Sequence, residues 1–341
     1  MSPNPSQYEY SYPSQLVATE PAKPRPSARL LVYDRAAQQI VEDTFEHVDR
    51  YLAPKSVIVL NDTKVLPSRL WCTKPTGGKV QVLIVGSSDD HVQAMVDRKL
   101  EVGSRVFLTP RLWFLVAGVT DGVWKLEPSF PLARLASVLA RHGHMPIPPY
   151  LRHTRMNERG LRAQYQTVWA HREGSWAAPT ASLHFSRALI ARLKRQGHTV
   201  VYVTLHVGMG TFAPLTTQQL TTGKLHQEEA VVSPSVARTI ETARAKGRSI
   251  VAVGTTVARA LESASVSGRV VAMRGVTDIF IKPGYTWRVV DQLITNFHVP
   301  RSSLMMLVAS LVGRTRLLAL YQYAVSRAFR LFSFGDGMMV K

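Results

Sequence analysis

The sequence predicts an α/β fold: a mixed, largely parallel sheet domain covered by helices, into which a small antiparallel β-barrel domain is inserted. In the second half of the chain, apolar strand-like runs alternate with amphipathic helical stretches, which is typical of parallel strands joined by covering helices. From about residue 69 to 127, short strand-like runs follow one another through Gly-containing turns without a helix, which indicates a closed barrel. We therefore place the α/β domain at residues 1–68 and 150–341 and the barrel domain at residues 69–149.

Local signals predict the individual elements. Ser186 is the expected N-cap of a helix that stops at Gly197, and Ser233 begins a second helix that stops at Gly247. Apolar runs predict strands of the α/β domain at residues 30–33, 57–60, 200–206, 250–253 and 278–281. Barrel strands are predicted at residues 79–85, 91–96, 104–108, 112–119 and 122–126.

The chain carries a large positive charge. Its 42 Lys and Arg against 23 Asp and Glu give a formal net charge of +19, spread along the sequence. Such a charge favours a polyanionic partner, with an anionic membrane surface or an arginine-rich genome as the alternatives. The N-terminal residues lack a signal-peptide pattern, and the longest apolar stretch, residues 304–312, is too short to span a bilayer. With Cys72 as the single cysteine, we expect a cytoplasmic protein without disulfides or membrane contact.

Small and polar residues follow several predicted strands. The strand that ends at His206 leads into Gly208 and Gly210, and glycines there allow a ligand close to the backbone, although tight turns show the same pattern. Other strands are followed by Asn61 and Asp62, and by Thr255 and Thr256. Because ligands of parallel sheets bind beyond the carboxyl ends of the strands, we expect a site at this edge.

Nine motifs occur in order along the chain. They are residues 60–70, 143–150, 165–168, 178–185, 205–212, 253–256, 277–285, 293–302 and 332–336. Taken together they resemble the S-adenosylmethionine:tRNA ribosyltransferase-isomerase family of queuosine biosynthesis, over essentially the whole chain. The chain departs from that pattern at Ser182, where Gly is usual, at Val257 and Ala258, where Ser and Val are usual, and at Ala230, where an aromatic residue is usual.

The resemblance implies both the predicted fold and an activity. The ribosyl part of S-adenosylmethionine would be transferred to 7-aminomethyl-7-deazaguanine at the wobble position of tRNA and isomerised to an epoxycyclopentane, while adenine and methionine leave. The partners are then tRNA and S-adenosylmethionine, the latter consumed as a substrate. Since the sulfonium carries its own leaving group, no cofactor is expected. The motif histidines have no compact zinc spacing, so no metal is expected, and the oligomeric state stays open, a monomer included.

The implied reaction requires a base for the proton next to the sulfonium, an acid for adenine, and groups that position the amine. As catalytic residues we predict His206, the first choice, with Asp278, Glu228 and His226. Arg259 is expected to bind the methionine carboxylate through its planar guanidinium. The other predicted substrate-binding residues are Asn61, Asp62, Arg69, Thr180, His184, Gly208, Gly210, Thr211, Thr255, Thr256, Asn296 and His298.

Alternatives stay open for the function and for single residues. The departures at Ser182 and Ala230 favour a paralogue that acts on a free small deazapurine, whereas the net charge argues against it. A catalytically inactive RNA-binding protein of the same fold is the other alternative. For His184 and His298, which each neighbour a Phe, a structural role is as reasonable as a catalytic one. For tRNA phosphates we expect contacts with basic residues near the barrel: Arg69, Lys79, Arg98, Lys99 and Arg105.

Overall fold

The computed structural model describes residues 4–208 and 215–341, which form a nine-stranded sheet, a closed six-stranded barrel and two two-stranded ribbons. In chain order the strands are β1 Arg29–Asp34, β2 Gln39–Thr44, β3 Val57–Asn61, β4 Thr63–Val65, β5 Arg69–Thr73, β6 Lys79–Ser87, β7 Val92–Val96, β8 Arg105–Thr109, β9 Leu112–Thr120, β10 Val123–Pro128, β11 Arg172–Ser175, β12 Thr199–Leu205, β13 Lys224–Val232, β14 Ile250–Val253, β15 Ser265–Val266, β16 Arg269–Val270, β17 Met273–Ile279, β18 Gln292–Asn296 and β19 Gly337–Val340. The α-helices are α1 Leu135–His142, α2 Glu158–Gln164, α3 Arg187–Arg195, α4 Thr217–Thr222, α5 Pro234–Ala245, α6 Thr255–Ser263, α7 Ser303–Val312 and α8 Arg314–Ser326.

The nine-stranded sheet is mixed, as predicted. Its order is β17-β13-β12-β3-β14-β18-β19-β1-β2. The central strands β12, β3, β14 and β18 pair in parallel, whereas β13 and β19 flank them in antiparallel pairing. Every residue of β3 and β14 is buried, as parallel strands covered on both faces require. The parallel strands therefore meet in the middle of the sheet, and their carboxyl ends lie at one edge.

Helices cover both faces of this sheet. Val57 and Val59 of β3 pack into the cluster that contains residues of α5 to α8, while Ile58 and Leu60 pack with Leu189 and other residues of α3. The alternation follows from the two-residue period of a strand. The capping predictions are confirmed: a Ser hydroxyl accepts a backbone N–H at the start of α3 and of α5, at 3.1 and 3.3 Å.

One strand prediction was wrong in position. The strand expected at residues 278–281 is β17, Met273–Ile279, which pairs with β13 at the edge of the sheet. Half-buried and exposed residues make up most of β17, so hydrophobicity alone did not mark it. At an edge, backbone pairing with one neighbour is enough to hold a strand that buries few side chains.

The barrel is closed and entirely antiparallel, in the order β10-β7-β6-β5-β8-β9 with β9 paired back to β10. Its interior is a separate apolar cluster that includes Leu70, Cys72, Val80 and Phe114. Cys72 is buried there, and this burial raises the pKa of its thiol to about 12, as expected of an inert filler. The antiparallel barrel is thus confirmed, while the domain limits at residues 69 and 149 stay a prediction.

The apolar stretch noted in the sequence forms helix α7. Its residues from Met305 to Ala309 are buried in the core of the sheet domain. Within residues 4–208 and 215–341, no single helix is long and apolar enough to cross a membrane. Among the described helices, one adjacent pair, α7 and α8, reaches the required length and hydropathy when taken together, and the chain bends by 109° between them.

Candidate active site

A cavity of about 130 Å³ lies at the carboxyl ends of β12, β14 and β18. Val207, which lies two residues after the end of β12, is part of the cavity wall. Gly254, at φ +97°, turns the chain from β14 directly into α6. Seven of the predicted site residues line the cavity: Thr180, Glu228, Thr255, Thr256, Arg259, Asn296 and His298. The polar strand ends noted in the sequence therefore do meet at this edge of the sheet.

Glu228 and Arg259 are the buried charges of the cavity wall. Arg259 on α6 is 7% exposed and donates through Nη1 to Oε2 of Glu228 on β13. The other carboxylate oxygen of Glu228 accepts the backbone N–H of Gly208 at 2.8 Å. Within residues 4–208 and 215–341, Nε and Nη2 of Arg259 have no hydrogen-bond partner. Unpaired buried donors cost roughly 1–3 kcal/mol each, so these two are suited to a ligand with paired acceptor oxygens, such as a carboxylate.

A hydrogen-bonded network joins Thr180, Thr256 and Asn296 of the cavity wall to the neighbouring Asn61 and His184. Thr180 donates to Oδ1 of Asn296 at 2.9 Å, and Nδ2 of Asn296 lies 3.2 Å from Nε2 of His184. Asn61, at the end of β3, donates to the carbonyl of Leu205 at 2.9 Å and lies 3.3 Å from the hydroxyl of Thr256. These contacts fix the side-chain orientations before any ligand binds, which lowers the entropy cost of binding.

His184 and His298 have neutral imidazoles at physiological pH. Burial is the main cause that lowers the pKa of each ring to about 3, and for His184 the nearby positive charges of Arg330 and Arg25 act in the same direction. His184 also stacks on Phe45, with ring centroids 4.1 Å apart, and Nε2 of His298 lies 3.0 Å from the hydroxyl of Thr295. The structural role considered from the sequence fits both residues, because neither ring is an imidazolium at physiological pH and a neutral imidazole is a poor proton donor to a leaving group.

His206, the first choice for catalysis, lies outside the wall of this cavity. Its Nδ1 is 2.7 Å from the hydroxyl of Thr63, and its ring packs against Gly174, where a Cβ would come within 3.0 Å. Partial burial lowers the pKa of His206; the carboxylates of Glu229 and Asp62 oppose that shift, and Arg172 adds to it. A neutral imidazole retains a nitrogen that can accept a proton, so a role as general base stays a prediction for His206.

Asp278 and His226 face a different space. A cleft of about 1120 Å³ separates the barrel strands β7 and β10 from α4 and the start of β13, and both residues line it. Asp278 is paired with Lys224, with Oδ2 and Nζ 3.1 Å apart. The structure thus divides the four predicted catalytic residues: Glu228 lines the cavity, Asp278 and His226 line the cleft, and His206 lies on the side of β4 and β11.

Two predicted binding residues, Asp62 and Arg69, lie elsewhere. Asp62 is buried and accepts the hydroxyl of Thr204 at 2.6 Å, so this contact holds strands β3 and β12 together. Arg69 begins the barrel strand β5 and donates to the carbonyl of Ile147. These two side chains are used by the fold. Gly210 and Thr211 lie outside the described residues.

The cavity wall also contains residues that the sequence analysis did not select. They are Tyr150, Tyr165, Thr295, Phe332 and Ser333 among others. The hydroxyl of Tyr150 lies 2.8 Å from that of Ser333. The sequence pointed to these residues only as members of motifs. The signal that could have found them was their presence in motifs 143–150, 165–168, 293–302 and 332–336.

Comparisons with known proteins agree with the resemblance seen in the sequence. The family described as "Queuosine biosynthesis protein" matches residues 5–340. The S-adenosylmethionine:tRNA ribosyltransferase-isomerase of Gloeobacter violaceus is 44% identical over 98% of this chain and 94% of its own length, and that of Halothermothrix orenii is 40% identical over 98% of both. The crystal structure of S-adenosylmethionine tRNA ribosyltransferase from Thermotoga maritima superposes with a TM-score of 0.57, at 30% identity, over 98% of this chain and all of that one. The chain belongs to the queuosine biosynthesis protein family, the family of the S-adenosylmethionine:tRNA ribosyltransferase-isomerases.

Proposed function

We propose that this protein transfers and isomerises the ribosyl part of S-adenosylmethionine onto 7-aminomethyl-7-deazaguanine at the wobble position of tRNA. Adenine and methionine are the other products. Family membership along the whole chain supports the reaction class. Because tRNA is the acceptor, we place the activity in the cytoplasm.

The observation that carries the proposal is the buried Arg259 in the cavity, which has two donors without a partner among the residues that the structure describes. Glu228 holds Nη1 of the guanidinium, which leaves Nε and Nη2 to meet both oxygens of the methionine carboxylate. In this arrangement Glu228 positions Arg259. The cavity, at about 130 Å³, is smaller than the roughly 300–1,000 Å³ of sites that enclose a whole small molecule. We therefore infer that the cavity holds the methionine end of S-adenosylmethionine.

The remaining chemistry falls to residues outside the buried wall. His184 and His298 stay neutral, so they are poor proton donors to departing adenine. His206 is the better placed proton acceptor, because only Val207 separates it from Gly208, whose N–H donates to Glu228. S-adenosylmethionine brings its own leaving group, and no resident cofactor or metal is part of the proposal.

The test is a reaction of the purified protein with S-adenosylmethionine and tRNA that carries the aminomethyl-deazaguanine base. We expect release of adenine and methionine and a heavier tRNA nucleoside by mass spectrometry, unchanged after exhaustive chelation. In two parallel reactions, the tRNA is replaced by the free deazapurine base or the acceptor is left out.

Each arm separates one alternative. Product from the free base but none from tRNA would indicate the small-molecule paralogue, and binding of tRNA without any adenine release would indicate the inactive RNA-binding protein. Activity that chelation removes and one added metal restores would contradict the metal-free mechanism.

A further inference from the structure

The charges of the chain are unevenly distributed between the barrel and the segment that follows it. Residues 69–128, the barrel strands, contain eight Lys or Arg and six Asp or Glu, which is nearly neutral. Residues 141–162, which we call the basic segment, contain five Arg, three His and a single acidic residue, Glu158. The basic segment is therefore a stronger candidate for contact with a polyanion than the barrel residues expected from the sequence.

The single acid of the basic segment is already engaged. Oε1 of Glu158 accepts Nε of Arg162 at 2.9 Å and the backbone N–H of Met145 at 3.0 Å, and Oε2 lies 3.4 Å from Nδ1 of His144. Arg162 also donates to the carbonyls of Ala140 and Gly143, so it holds the local fold. Glu158 therefore does not neutralise the other arginines.

The four other arginines of the segment are exposed: Arg141, Arg152, Arg155 and Arg159. In the part of the chain that the structure describes, none of them has a carboxylate within 4.0 Å, in contrast to Arg29, Arg192 and Arg327, which all have one. An exposed group of like charges without counter-charges repels itself and attracts a polyanion. Guanidinium groups suit phosphate oxygens, because their planar donors match the phosphate geometry.

The basic segment adjoins the cavity and is held rigidly against it. Tyr150, in the turn Pro149–Leu151, lines the cavity and is followed directly by Leu151, which is buried, and by the exposed Arg152. Leu151 and Leu161 pack in one apolar cluster with Tyr165, a second residue of the cavity wall. A phosphate backbone bound by the segment would therefore lie beside the cavity.

We propose that Arg152, Arg155 and Arg159 form a phosphate-binding surface that holds the anticodon stem-loop of tRNA and delivers its wobble base to the cavity. The proposal rests on the proposed function for the identity of the RNA. An unpaired loop base can be presented without melting a duplex, so a surface that binds only the backbone is sufficient to position it.

The experiment compares three triple variants of the full chain. Arg152→Ala with Arg155→Ala and Arg159→Ala removes the proposed contacts. Arg238→Ala with Lys246→Ala and Arg248→Ala removes three cations from a groove by the start of β12, away from the cavity. Lys79→Ala with Arg98→Ala and Arg105→Ala removes three cationic side chains from the barrel. Melting temperature checks the fold of each variant, and all nine side chains are at the surface or half-buried.

Affinity for an anticodon stem-loop RNA is measured over a series of salt concentrations. For the first variant we expect binding weaker by about tenfold or more at moderate salt, and a salt slope reduced by about 3, since each lost phosphate contact reduces it by nearly 1. The KM for tRNA should rise while the KM for S-adenosylmethionine does not. The other two variants should keep most of the wild-type slope.

An unchanged slope in the first variant, or an equal loss in either of the other two, would overturn the proposal. Binding of the full-length wild-type protein to vesicles of phosphatidylserine and phosphatidylcholine, without binding to the RNA, would overturn the proposal in favour of a membrane surface as the partner. The RNA-binding measurement does not require turnover, so a failure of the proposed reaction and a failure of the proposed surface give different results.

Discussion

The cavity and the cleft, although both are bordered by strand β13, are built in opposite ways. In the cavity, polar side chains are buried and bonded to one another, as in the pairs Glu228–Arg259 and Thr180–Asn296. In the cleft, polar side chains such as Thr217 and Gln218 are exposed to solvent, and the space is about 1120 Å³ rather than about 130 Å³. A preorganised buried network suits a small donor molecule, whereas a wide, open cleft beside the barrel suits a large partner.

The largest effect is expected at His206, which belongs to neither space. His206→Ala should lower the single-turnover rate by about 10²–10⁴, the range for loss of one acid–base group. Melting temperature and tRNA affinity should change little. If the rate falls by less than about tenfold, or if stability and both affinities fall together, His206 is structural and the proton acceptor must be sought at Asp278 or Glu228.

A smaller effect is expected for Arg259→Lys, which keeps the charge beside Glu228 but removes the planar pair of donors. Hydrogen bonds to charged groups contribute about 1.5–3 kcal/mol, so the KM for S-adenosylmethionine should rise by roughly 10- to 100-fold. Arg238→Lys, the same change on the exposed surface of α5, is the matched control and should leave that KM unchanged. Steady-state kinetics at saturating tRNA provide the measurement.

The same kinetic comparison can reverse the assignment of the two spaces. A raised KM for S-adenosylmethionine in Asp278→Asn, together with a normal KM in Arg259→Lys, would move the methionine end of the donor from the cavity to the cleft.

The smallest effect is a dependence of stability on pH that originates in two buried histidines, His298 in the cavity wall and His184 bonded to Asn296. Because the pKa of His184 and of His298 is about 3 in the folded chain and about 6.5 in an unfolded one, protonation favours unfolding. The stability that the two neutral imidazoles contribute to the folded state is complete above about pH 6.5. It is lost as the pH falls towards about 3. Each imidazole adds up to about 1.4 kcal/mol per pH unit to the slope within that window.

Denaturant unfolding at a series of pH values measures this slope. Between pH 6 and 4, His298→Gln should reduce the slope of the unfolding free energy against pH by the amount that corresponds to uptake of about one proton. The variant is also less stable at pH 8 if the contact with Thr295 is lost. A slope identical to that of the wild type would mean that the ring of His298 is not buried in the neutral form.

Much of the fold was readable from the sequence. The strands and helices that carry strong local signals, such as β3, β14, α3 and α5, were found close to their observed limits, because hydrophobic period and capping residues act within a few positions. The edge strand β17 was misplaced, since it has little hydrophobic signal of its own. The ordering β12-β3-β14-β18, which brings distant strand ends together, is not encoded locally.

The separation of His226 from Glu228 shows the same limit within one strand. Two residues apart, they would share a face of a regular strand. The register of β13 against β17 shifts between Lys224 and Glu228: Lys224 pairs with Ile279 and Glu228 with Thr277, so β13 advances by four residues where β17 advances by two. Such a bulge redirects side chains, and its position is set by pairing with a strand about fifty residues away in the sequence.

By itself the sequence determined the two architectures, the polar ends of the strands, the excess of positive charge and the resemblance to a family. Only the tertiary structure decided which polar residues share a cavity and that Tyr150 joins the cavity to exposed arginines. It also decided that Glu228 holds Arg259, two of whose donors have no partner in the described part of the chain. The physical reason is that propensity and periodicity act over neighbouring residues, whereas burial and hydrogen bonding depend on contacts between segments that lie far apart in the chain.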